Sequence, residues 1–315
     1  MAKEYNNIEE ESFKACEPSS WGGQWTEEKL DAFEKYVNAY LTIINASRDK
    51  YNWKLIYFDG FAGSGSRNEK KKEKDSVLLQ HFFKDLILQK EELNLYKGAA
   101  ERVLSIPQRG FDYYYFVDKD PESSLKLHEL LSRFENEKTI VYRNSDANRQ
   151  IEMLAGAMQK DKKFASLVLL DPFGMQVDWS SIEMLKGTRT DLWILIPTGV
   201  IVNRLLDRKG YLTHIDKLKS FFGKNEEFLK GYFYTKSQEK TFFGEIEKVR
   251  KVEKPIQKIA ELYIKQLKSI FKYVTPEPLV LYNSRNTPIF HFACASNNST
   301  AIKIANEIIN KKQKR

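Results

Sequence analysis

The sequence predicts an α/β protein with a Rossmann-like fold, in which a mostly parallel sheet ends in a C-terminal antiparallel hairpin. Two observations predict this fold. Short apolar runs alternate with amphipathic segments of helical length, which is the pattern of parallel strands joined by crossover helices. Three of the apolar runs stop at an Asp residue that is followed within three residues by Gly or Pro, as expected where a strand ends at a ligand-binding loop.

The first part of the chain contains a long helix and the first three strands. Thr26 is a suitable N-cap, and two Glu residues follow it, where the positive end of the helix dipole favours acids. Apolar residues then recur at helical spacing, so we predict a helix over 26–47. The other elements predicted here are a strand at Leu55–Phe58, a loop at Ser66–Lys74, a helix at Asp75–Leu93, a strand at Phe111–Val117, a helix at Ser123–Asn136 and a strand at Thr139–Tyr142.

The second part contains the clearest strand of the chain, Ala165–Leu170, which is almost entirely apolar and follows a predicted helix at 148–159. A short helix at 179–186 comes next, and then a strand at Leu192–Ile196 that Pro197 ends. The last predicted elements are the strands Leu279–Tyr282 and Ile289–Ala295, which form a hairpin, and a helix at Thr300–Lys311.

Charge is distributed unevenly between the predicted parts of the chain. We predict an N-terminal arm at 1–24, a core at 25–200 and 273–312, and a basic, largely helical insertion at 201–272. The formal net charge is +8, and residues 201–274 hold 17 Lys and Arg against 9 Asp and Glu, whereas the remainder holds 34 of each sign. A basic segment on a neutral body favours an anionic partner such as nucleic acid. A solvated Lys-rich helical insertion explains the same composition, so both interpretations stay open.

Composition excludes several classes of protein. The 315 residues are 42% hydrophobic and 30% charged, which is typical of a folded globular chain. No apolar run approaches the ~20 residues that span a bilayer, and the polar, acidic stretch 1–11 is unlike a secretory signal. The two cysteines, Cys16 and Cys294, lack metal-ligand spacing, so neither a disulfide scaffold nor a Cys-rich zinc site is expected. We therefore expect a cytoplasmic protein without membrane association.

The segment Asp59–Gly65 follows the first predicted strand directly and contains three glycines. Glycines let the backbone turn tightly and approach a ligand closely, and a following helix can present N–H groups to an anionic group. The segment is neither a phosphate-binding P-loop nor a regular Gly-x-Gly-x-x-Gly sequence. An acid at its start suits a cationic group such as the sulfonium or amino group of S-adenosylmethionine (SAM), although a tight strand-to-helix turn is the alternative. The residues expected beside this cofactor are Asp59, Gly60, Phe61, Ala62, Gly63 and Gly65.

Two further acids follow the next two strands. Asp118 ends the second strand, where a carboxylate can accept hydrogen bonds from both ribose hydroxyls. Asp120 competes for this role, but Asp120-Pro121 is also an ordinary helix start, so we favour Asp118. Asp146 follows the third strand, and we expect it to accept a hydrogen bond from the adenine amino group of the cofactor. Its alternative role is to cap the helix that follows.

The segment Asp171-Pro172-Phe173-Gly174 follows the most apolar strand. A carboxylate at the exit of a buried strand is costly unless it has a partner or a purpose. Proline fixes the backbone and removes a donor, so carbonyl and carboxylate acceptors can face the cleft and hold an amine that accepts a methyl group. The Phe side chain offers a face on which a base can stack. We therefore predict Asp171, Pro172 and Phe173 as catalytic residues, with a simple turn as the alternative.

Four segments of the sequence together resemble a known family. They are Trp25-Thr26…Lys29-Leu30…Tyr36…Tyr40, Tyr57–Gly65, Leu170–Gly174 and Trp193-Ile194…Pro197. These segments resemble the three-Cys-motif partner protein (TcmP) family, over a span from about Trp25 to the C-terminal helix. The resemblance implies a SAM-type Rossmann core and association with a separate three-Cys-motif protein that is similar to radical-SAM enzymes, and it implies no particular substrate. The residues it puts near the cofactor are Asp59, Gly60, Gly63, Gly65 and Asp118.

The segment Asp171–Gly174 also resembles the Asp/Asn-Pro-Pro-Tyr/Phe motif of amino-methyltransferases that act on DNA, RNA or glutamine. It departs from that motif because the second proline is missing, with Phe173 in its place and Gly174 after it. The departure means that an amine-methylating role does not transfer directly from the motif.

Three functions are compatible with these residues. The first is a SAM-dependent methyltransferase that acts on a base amine of DNA or RNA, with the base flipped or unpaired and the phosphates held by 201–272. The second is a methyltransferase-fold partner protein that binds a three-Cys-motif protein or nucleic acid without catalysis of its own. The third, ranked well below the others, is a phosphate-directed enzyme with Asp59, Asp118 and Asp171 as ligands of Mg²⁺. The four His residues form no ligand pattern, and His291 is expected to be structural.

Overall fold

A computed structural model describes residues 23–64, 98–207, 210–212, 214–241 and 244–313. The predicted loop at Ser66–Lys74, the predicted helix at Asp75–Leu93 and nearly all of the predicted arm lie outside the described residues.

Strands and helices alternate along the described chain, as predicted. The strands are β1 (Lys54–Asp59), β2 (Tyr113–Asp118), β3 (Ile140–Asn144), β4 (Phe164–Leu170), β5 (Thr190–Ile196), β6 (Tyr234–Thr241), β7 (Gly244–Lys251), β8 (Tyr273–Val274), β9 (Leu279–Tyr282) and β10 (Pro288–Ser296). The helices are α1 (Gly23–Arg48), α2 (Ala99–Leu104), α3 (Pro121–Leu131), α4 (Ala147–Lys160), α5 (Trp179–Glu183), α6 (Asn203–Leu205), α7 (Ile215–Phe222), α8 (Glu226–Phe233), α9 (Pro255–Ile270) and α10 (Ser299–Gln313). A π-helical turn, Thr198–Val202, joins β5 to α6.

Eight of the described strands form one sheet. Six of them follow the order β3-β2-β1-β4-β5-β10, and β8 and β9 both pair with the outer edge of β10. Strands β1 to β5 are parallel, whereas β10 runs antiparallel to its neighbours. These pairings confirm the mostly parallel α/β sheet and the closing hairpin, which consists of β9 and β10.

Helices cover both faces of the sheet, and each face has its own core. Successive strand residues point to opposite faces, so Tyr57 of β1 packs with α1, α2, α3 and α10, whereas Phe58 packs with α4, α5, α7, α8 and α9. The first core is rich in stacked and edge-on aromatic rings, with Trp193 of β5 fully buried against Phe33 and Tyr36 of α1. The apolar strands predicted from the sequence are therefore buried because both of their faces are covered.

Helix α1 begins at Gly23, so the last two residues of the predicted arm belong to the helix. Thr26 is consequently not the N-cap. It lies in the first turn and is only 2% exposed. Tertiary packing accounts for the earlier start of the helix, because Trp25 stacks on Phe290 of β10 with ring centroids 5.3 Å apart.

The region predicted as a largely helical insertion, 201–272, contains a β-ribbon as well as helices. Strands β6 and β7 pair antiparallel in a sheet of their own. Helix α9 lies at the end of this region and buries Tyr263 and Leu267 in the second core. The strands escape prediction because they are polar, with residues 235–238, 248 and 250 exposed, which removes the alternation of apolar residues by which a strand is recognised.

Two predictions from composition concern membrane-spanning helices and cysteines. None of the described helices is long and apolar enough to cross a bilayer. Cys294 is a buried free thiol in β10, and Cys16 lies outside the described residues.

Candidate functional site

The strand order places the candidate residues at a single edge of the sheet. Strands β2 and β3 lie on one side of β1, and β4 and β5 lie on the other, so the direction of winding reverses between β1 and β4. Ligands of open parallel sheets bind at such a reversal, beyond the carboxyl ends of the strands. Asp59 ends β1, Asp118 ends β2 and Asp171 directly follows β4. The structure thus brings together three acids that are distant in sequence.

Asp59 is a buried carboxyl group, with 3% of its surface exposed. Its Oδ1 accepts a hydrogen bond from the Phe61 N–H (3.1 Å), and its Oδ2 accepts a longer one from the Tyr57 hydroxyl (3.4 Å). Burial, reinforced by the negative charge of Asp171, raises the pKa of Asp59 to about 7, although the Phe61 N–H and the Lys29 cation favour the charged form. Asp59 therefore changes its charge near neutral pH.

The loop after β1 is tied to both neighbouring strands. The Gly60 N–H donates to the Leu169 carbonyl (3.0 Å), and the Ala62 N–H donates to the Val117 carbonyl (2.9 Å). A Cβ on Gly60 would lie 2.7 Å from the Leu170 Cδ2, so this glycine is needed for close packing of the loop on β4.

Gly63 differs from Gly60 because it has a φ of +61°, and no atom of the described residues lies within 4 Å of where a Cβ would stand. The role of Gly63 in a cofactor loop stays a prediction. Gly65, which belongs to the same prediction, lies outside the described residues.

Asp118 and Asp120 have different roles. The Asp118 Oδ1 accepts a hydrogen bond from the Asp120 N–H (2.7 Å), and the half-buried Asp118 side chain stays at the end of β2. The Asp120 carboxylate caps α3 and accepts hydrogen bonds from the Ser123 N–H (2.9 Å) and hydroxyl (2.7 Å). Asp120 is engaged as a cap and Asp118 accepts a hydrogen bond from it, so the role of Asp118 as the ribose-binding acid stays a prediction.

Asp146 is exposed and caps α4, since its Oδ1 accepts a hydrogen bond from the Asn148 N–H (2.9 Å). Asp146 therefore has the capping role that was the alternative to adenine binding. Adenine binding stays a prediction, because an ionised carboxylate has acceptor sites beyond the one that the cap uses.

Asp171 is paired with a buried lysine that the sequence did not single out for a role. The Lys29 Nζ of α1 lies 2.7 Å from Oδ1 and 2.5 Å from Oδ2 of Asp171. Lys29 is 3% exposed and Asp171 is 21% exposed, so water screens this ion pair only weakly. Lys29 also lies over the Trp25 ring, 5.4 Å from its centroid. The pair fixes the position of the carboxylate and neutralises its charge.

The three residues after Asp171 differ in exposure. Pro172 is buried, whereas the Phe173 side chain is 40% exposed at the edge of the site. A Cβ on Gly174 would lie 2.9 Å from the Ile201 Cδ1, which shows that the turn after β5 covers this segment closely. Phe173 thus lies at the exposed edge of the site, where stacking of a base on its ring stays a prediction, and Pro172 contributes to the packing.

An asparagine that the sequence did not indicate fixes the rest of the loop. The Asn148 amide donates to the Gln176 carbonyl (2.9 Å), and its Oδ1 accepts hydrogen bonds from the Asp178 N–H (2.8 Å) and the Ser181 hydroxyl (3.1 Å). One side chain of α4 thereby holds the segment between β4 and α5.

His291 lies in β10 beside the end of β5, as a structural residue would. Its Nδ1 is 2.7 Å from the Thr198 hydroxyl, and both side chains are buried. Burial lowers the pKa of His291 to about 4, so the ring is neutral at physiological pH.

The described residues include no group of three or more His, Cys, Asp or Glu side chains arranged to hold a metal ion. Asp171 contacts a lysine rather than a second carboxylate. These two observations give no support to the interpretation of Asp59, Asp118 and Asp171 as Mg²⁺ ligands.

Two cavities of the described chain lie away from these strand ends. One, of about 880 Å³, opens at the amino ends of β4 and β5 and is lined by residues such as Phe164 and Asp191. The other, of about 1110 Å³, lies between α9 and the edge strand β9. Neither is lined by Asp59, Asp118 or Asp171. The candidate site therefore rests on the chemistry and placement of its residues and not on cavity size.

Comparisons with known proteins add little to this geometry. No family model matches the chain, and no curated protein matches it. Among solved structures, the chain is similar to protein LPL1258 from Legionella pneumophila strain Philadelphia 1, which is assigned to the family model DUF519. The two chains are 13% identical with a TM-score of 0.40, and the match covers 88% of this chain and 98% of that one.

Proposed function

We propose that this chain is a SAM-dependent methyltransferase that acts on an amine of a nucleic-acid base. The observation that supports it most is the convergence of Asp59, Asp118 and Asp171 at the carboxyl ends of β1, β2 and β4, on both sides of the point where the winding of the sheet reverses. The sheet order, with an antiparallel β10 between β5 and the β8–β9 edge, agrees with the methyltransferase variant of the Rossmann fold that the TcmP resemblance implies.

The residues at these strand ends suit SAM chemically. The Asp59 carboxylate would face the cationic part of the cofactor, and Asp118 would accept hydrogen bonds from the ribose hydroxyls. Gly63 leaves its backbone open to close approach. Asp146, at the start of α4, would be near the adenine. When bound, SAM supplies an activated methyl group.

The acceptor amine would be held by Asp171 and Phe173. Lys29 fixes the Asp171 carboxylate, whose remaining lone pairs can accept N–H bonds from an amine. Phe173 would stack on the base, which must leave its helix to reach the site. The contribution of these residues is alignment of the acceptor, and Pro172 supports it by fixing the backbone between them.

The Lys29–Asp171 pair also favours the second candidate function, a methyltransferase-fold partner protein without catalysis of its own. Both oxygens of Asp171 already contact a cation, which reduces their capacity to orient an amine. In that case the site would bind SAM or nucleic acid in support of a three-Cys-motif protein. We further propose a cytoplasmic location, in keeping with the small number of cysteines.

Methyl transfer from radiolabelled SAM to DNA and RNA duplexes and single strands tests the proposal. Asp171→Asn keeps the shape of the side chain and a hydrogen bond to Lys29 but removes the charge that balances the buried Lys29, so SAM binding serves as the check that the variant is folded. In variant protein that still binds SAM, we expect transfer to fall by about 100-fold or more. Phe173→Ala should weaken transfer as well.

The matched control is Met184→Ala, because Met184 is equally exposed (42%) and precedes the amino end of β5. It should have wild-type activity. SAM binding without transfer to any nucleic acid would overturn the catalytic function in favour of the partner protein.

A further inference from the structure

Strands β6 and β7 form a two-stranded antiparallel ribbon that is separate from the main sheet. Their register runs from Tyr234 opposite Lys251 at the base to Thr241 opposite Gly244 at the tip. Four consecutive residues of β6, 235–238, are exposed, so both faces of this stretch of the ribbon meet solvent. A ribbon with two exposed faces is marginally stable by itself, so its base must be held by the rest of the protein.

Lys251 and Tyr234 hold the base of the ribbon. The Lys251 Nζ donates to the Asn203 carbonyl (2.5 Å), the Asn203 Oδ1 (2.7 Å) and the Leu206 carbonyl (2.5 Å). The Tyr234 hydroxyl donates to the Asp207 carbonyl (2.9 Å). All of these acceptors follow β5, so the ribbon starts from the edge of the sheet at which the candidate site lies.

A short chain of contacts connects the ribbon base to the predicted catalytic segment. Ile201 of the π-helical turn packs on Gly174, and Asn203, two residues later, accepts hydrogen bonds from Lys251. The turn after β5 therefore touches the candidate site on one side and the ribbon on the other. A ligand bound at Phe173 and extending past this turn would meet the ribbon.

One face of the ribbon combines cations with hydroxyl groups. The register places Thr235 opposite Arg250 and Ser237 opposite Lys248, and residues opposite each other share a face. Lys236 lies on the other face, opposite Val249. The acidic residues of the ribbon stand nearer its tip, at positions 239, 245 and 247, so its basal half contains cations and no acids.

We propose that this hydroxyl–cation face docks in the major groove of a B-form DNA duplex beside the base that enters the site. The major groove of B-DNA is wide enough for a two-stranded ribbon, whereas that of A-form RNA is too deep and narrow. Lys248 and Arg250 would neutralise phosphates. The Thr235 and Ser237 hydroxyls donate to the Arg250 and Lys248 carbonyls at 3.4 Å, and they would exchange these long bonds for phosphate oxygens. The proposal rests on the proposed function, because it takes the acceptor to be a nucleic-acid base.

The test is fluorescence anisotropy of the full chain with a labelled DNA duplex of about 20 base pairs, two helical turns, at several salt concentrations. Lys248→Ala and Arg250→Ala should each weaken binding by about five- to tenfold at low salt and reduce the slope of log K against log salt by about 1. Lys236→Ala, the matched control on the opposite face, should bind as wild type. An RNA duplex of the same sequence should bind more weakly than the DNA.

Equal losses in all three variants, tighter binding of the RNA duplex, or no binding of DNA would overturn the proposal. Titration of the same proteins with SAM separates it from the proposed function. DNA bound through Lys248 and Arg250 by a protein that does not bind SAM would refute the methyltransferase and leave the ribbon as a DNA-binding element. If SAM binds normally and the Lys248 and Arg250 variants bind DNA as tightly as wild type, only the DNA-binding role of the ribbon is refuted.

Discussion

Lys29 of α1 contacts both carboxylate oxygens of Asp171, 142 residues later in the chain, at 2.7 and 2.5 Å. The pair joins the long first helix to the exit of β4 at the position where the winding of the sheet reverses. Because Lys29 is buried, each partner depends on the other for its charge to be tolerated. The pair therefore links the stability of the fold to the geometry of the candidate site.

Removal of Lys29 should destabilise the protein strongly. Lys29→Met leaves the Asp171 carboxylate without its cation, and loss of one partner of a buried pair costs about 3–5 kcal/mol. Urea unfolding of the variant measures this loss. The double variant Lys29→Met/Asp171→Leu is the control, since an apolar pair of similar size should recover most of the stability. A single variant within about 1 kcal/mol of wild type would contradict the importance of the pair.

Asp59 should make the protein less stable as pH rises from about 4 to about 7. The folded protein keeps the Asp59 proton up to a pKa of about 7, whereas the unfolded chain releases it near pH 4, so unfolding releases a proton within this interval. The difference in free energy of unfolding between wild type and Asp59→Asn should fall across that interval and level off above it. Denaturant unfolding at a series of pH values measures the difference, and a pH-independent result would show that Asp59 has an ordinary pKa.

His291 should make the protein less stable as pH falls, which is opposite to the effect of Asp59. Its pKa is lowered to about 4 in the folded protein and is about 6.5 in the unfolded chain, so unfolding takes up a proton as pH falls below about 6.5. Wild type should lose stability relative to His291→Asn between about pH 6.5 and 4. Asp59 and His291 change the free energy of unfolding with pH in opposite directions, so the contribution of each is measured by comparing wild type with the variant of that residue. Chemical-shift titration of the His291 ring by NMR gives an independent pKa, and a midpoint near 6.5 would refute its burial.

Two glycine substitutions should have opposite effects on stability. A Cβ on Gly199 would lie 2.0 Å from the Pro288 carbonyl oxygen, which the backbone of β10 holds in place, so Gly199→Ala should destabilise by about 3 kcal/mol. Gly156 lies within α4 with nothing within 4 Å of a Cβ, so Gly156→Ala should stabilise by about 0.5–1 kcal/mol. Thermal unfolding measures both. A stable Gly199→Ala protein would mean that the turn after β5 is less tightly packed than described.

The sequence predicted the parallel sheet and the placement of the three acids for a common physical reason. Buried strands are apolar throughout, and parallel strands all end at one edge, so acids that follow such strands must lie near one another. Asp59, Asp118 and Asp171 meet this condition.

Other features depend on tertiary packing, which a single sequence does not record. The Lys29–Asp171 pair joins residues too far apart for any local pattern, and the role of Asn148 depends on a loop two elements away. The ribbon was missed because its exposed residues, such as Lys236 and Ser237, have no apolar alternation. Its strands are defined by pairing with each other and by the anchor at Lys251.

Titration calorimetry of the purified chain with SAM, after removal of any co-purified ligand, tests the central claim most directly. Asp118→Ala should abolish binding because Asp118 would hold the ribose. Asp161→Ala is the matched control, since the Asp161 carboxylate makes the same type of contact, to the Lys163 N–H (2.9 Å), at the opposite end of the sheet. We expect saturable binding to wild type and Asp161→Ala and none to Asp118→Ala. Absence of binding to the wild-type protein, or equal binding to all three, would contradict a cofactor site at the end of β2.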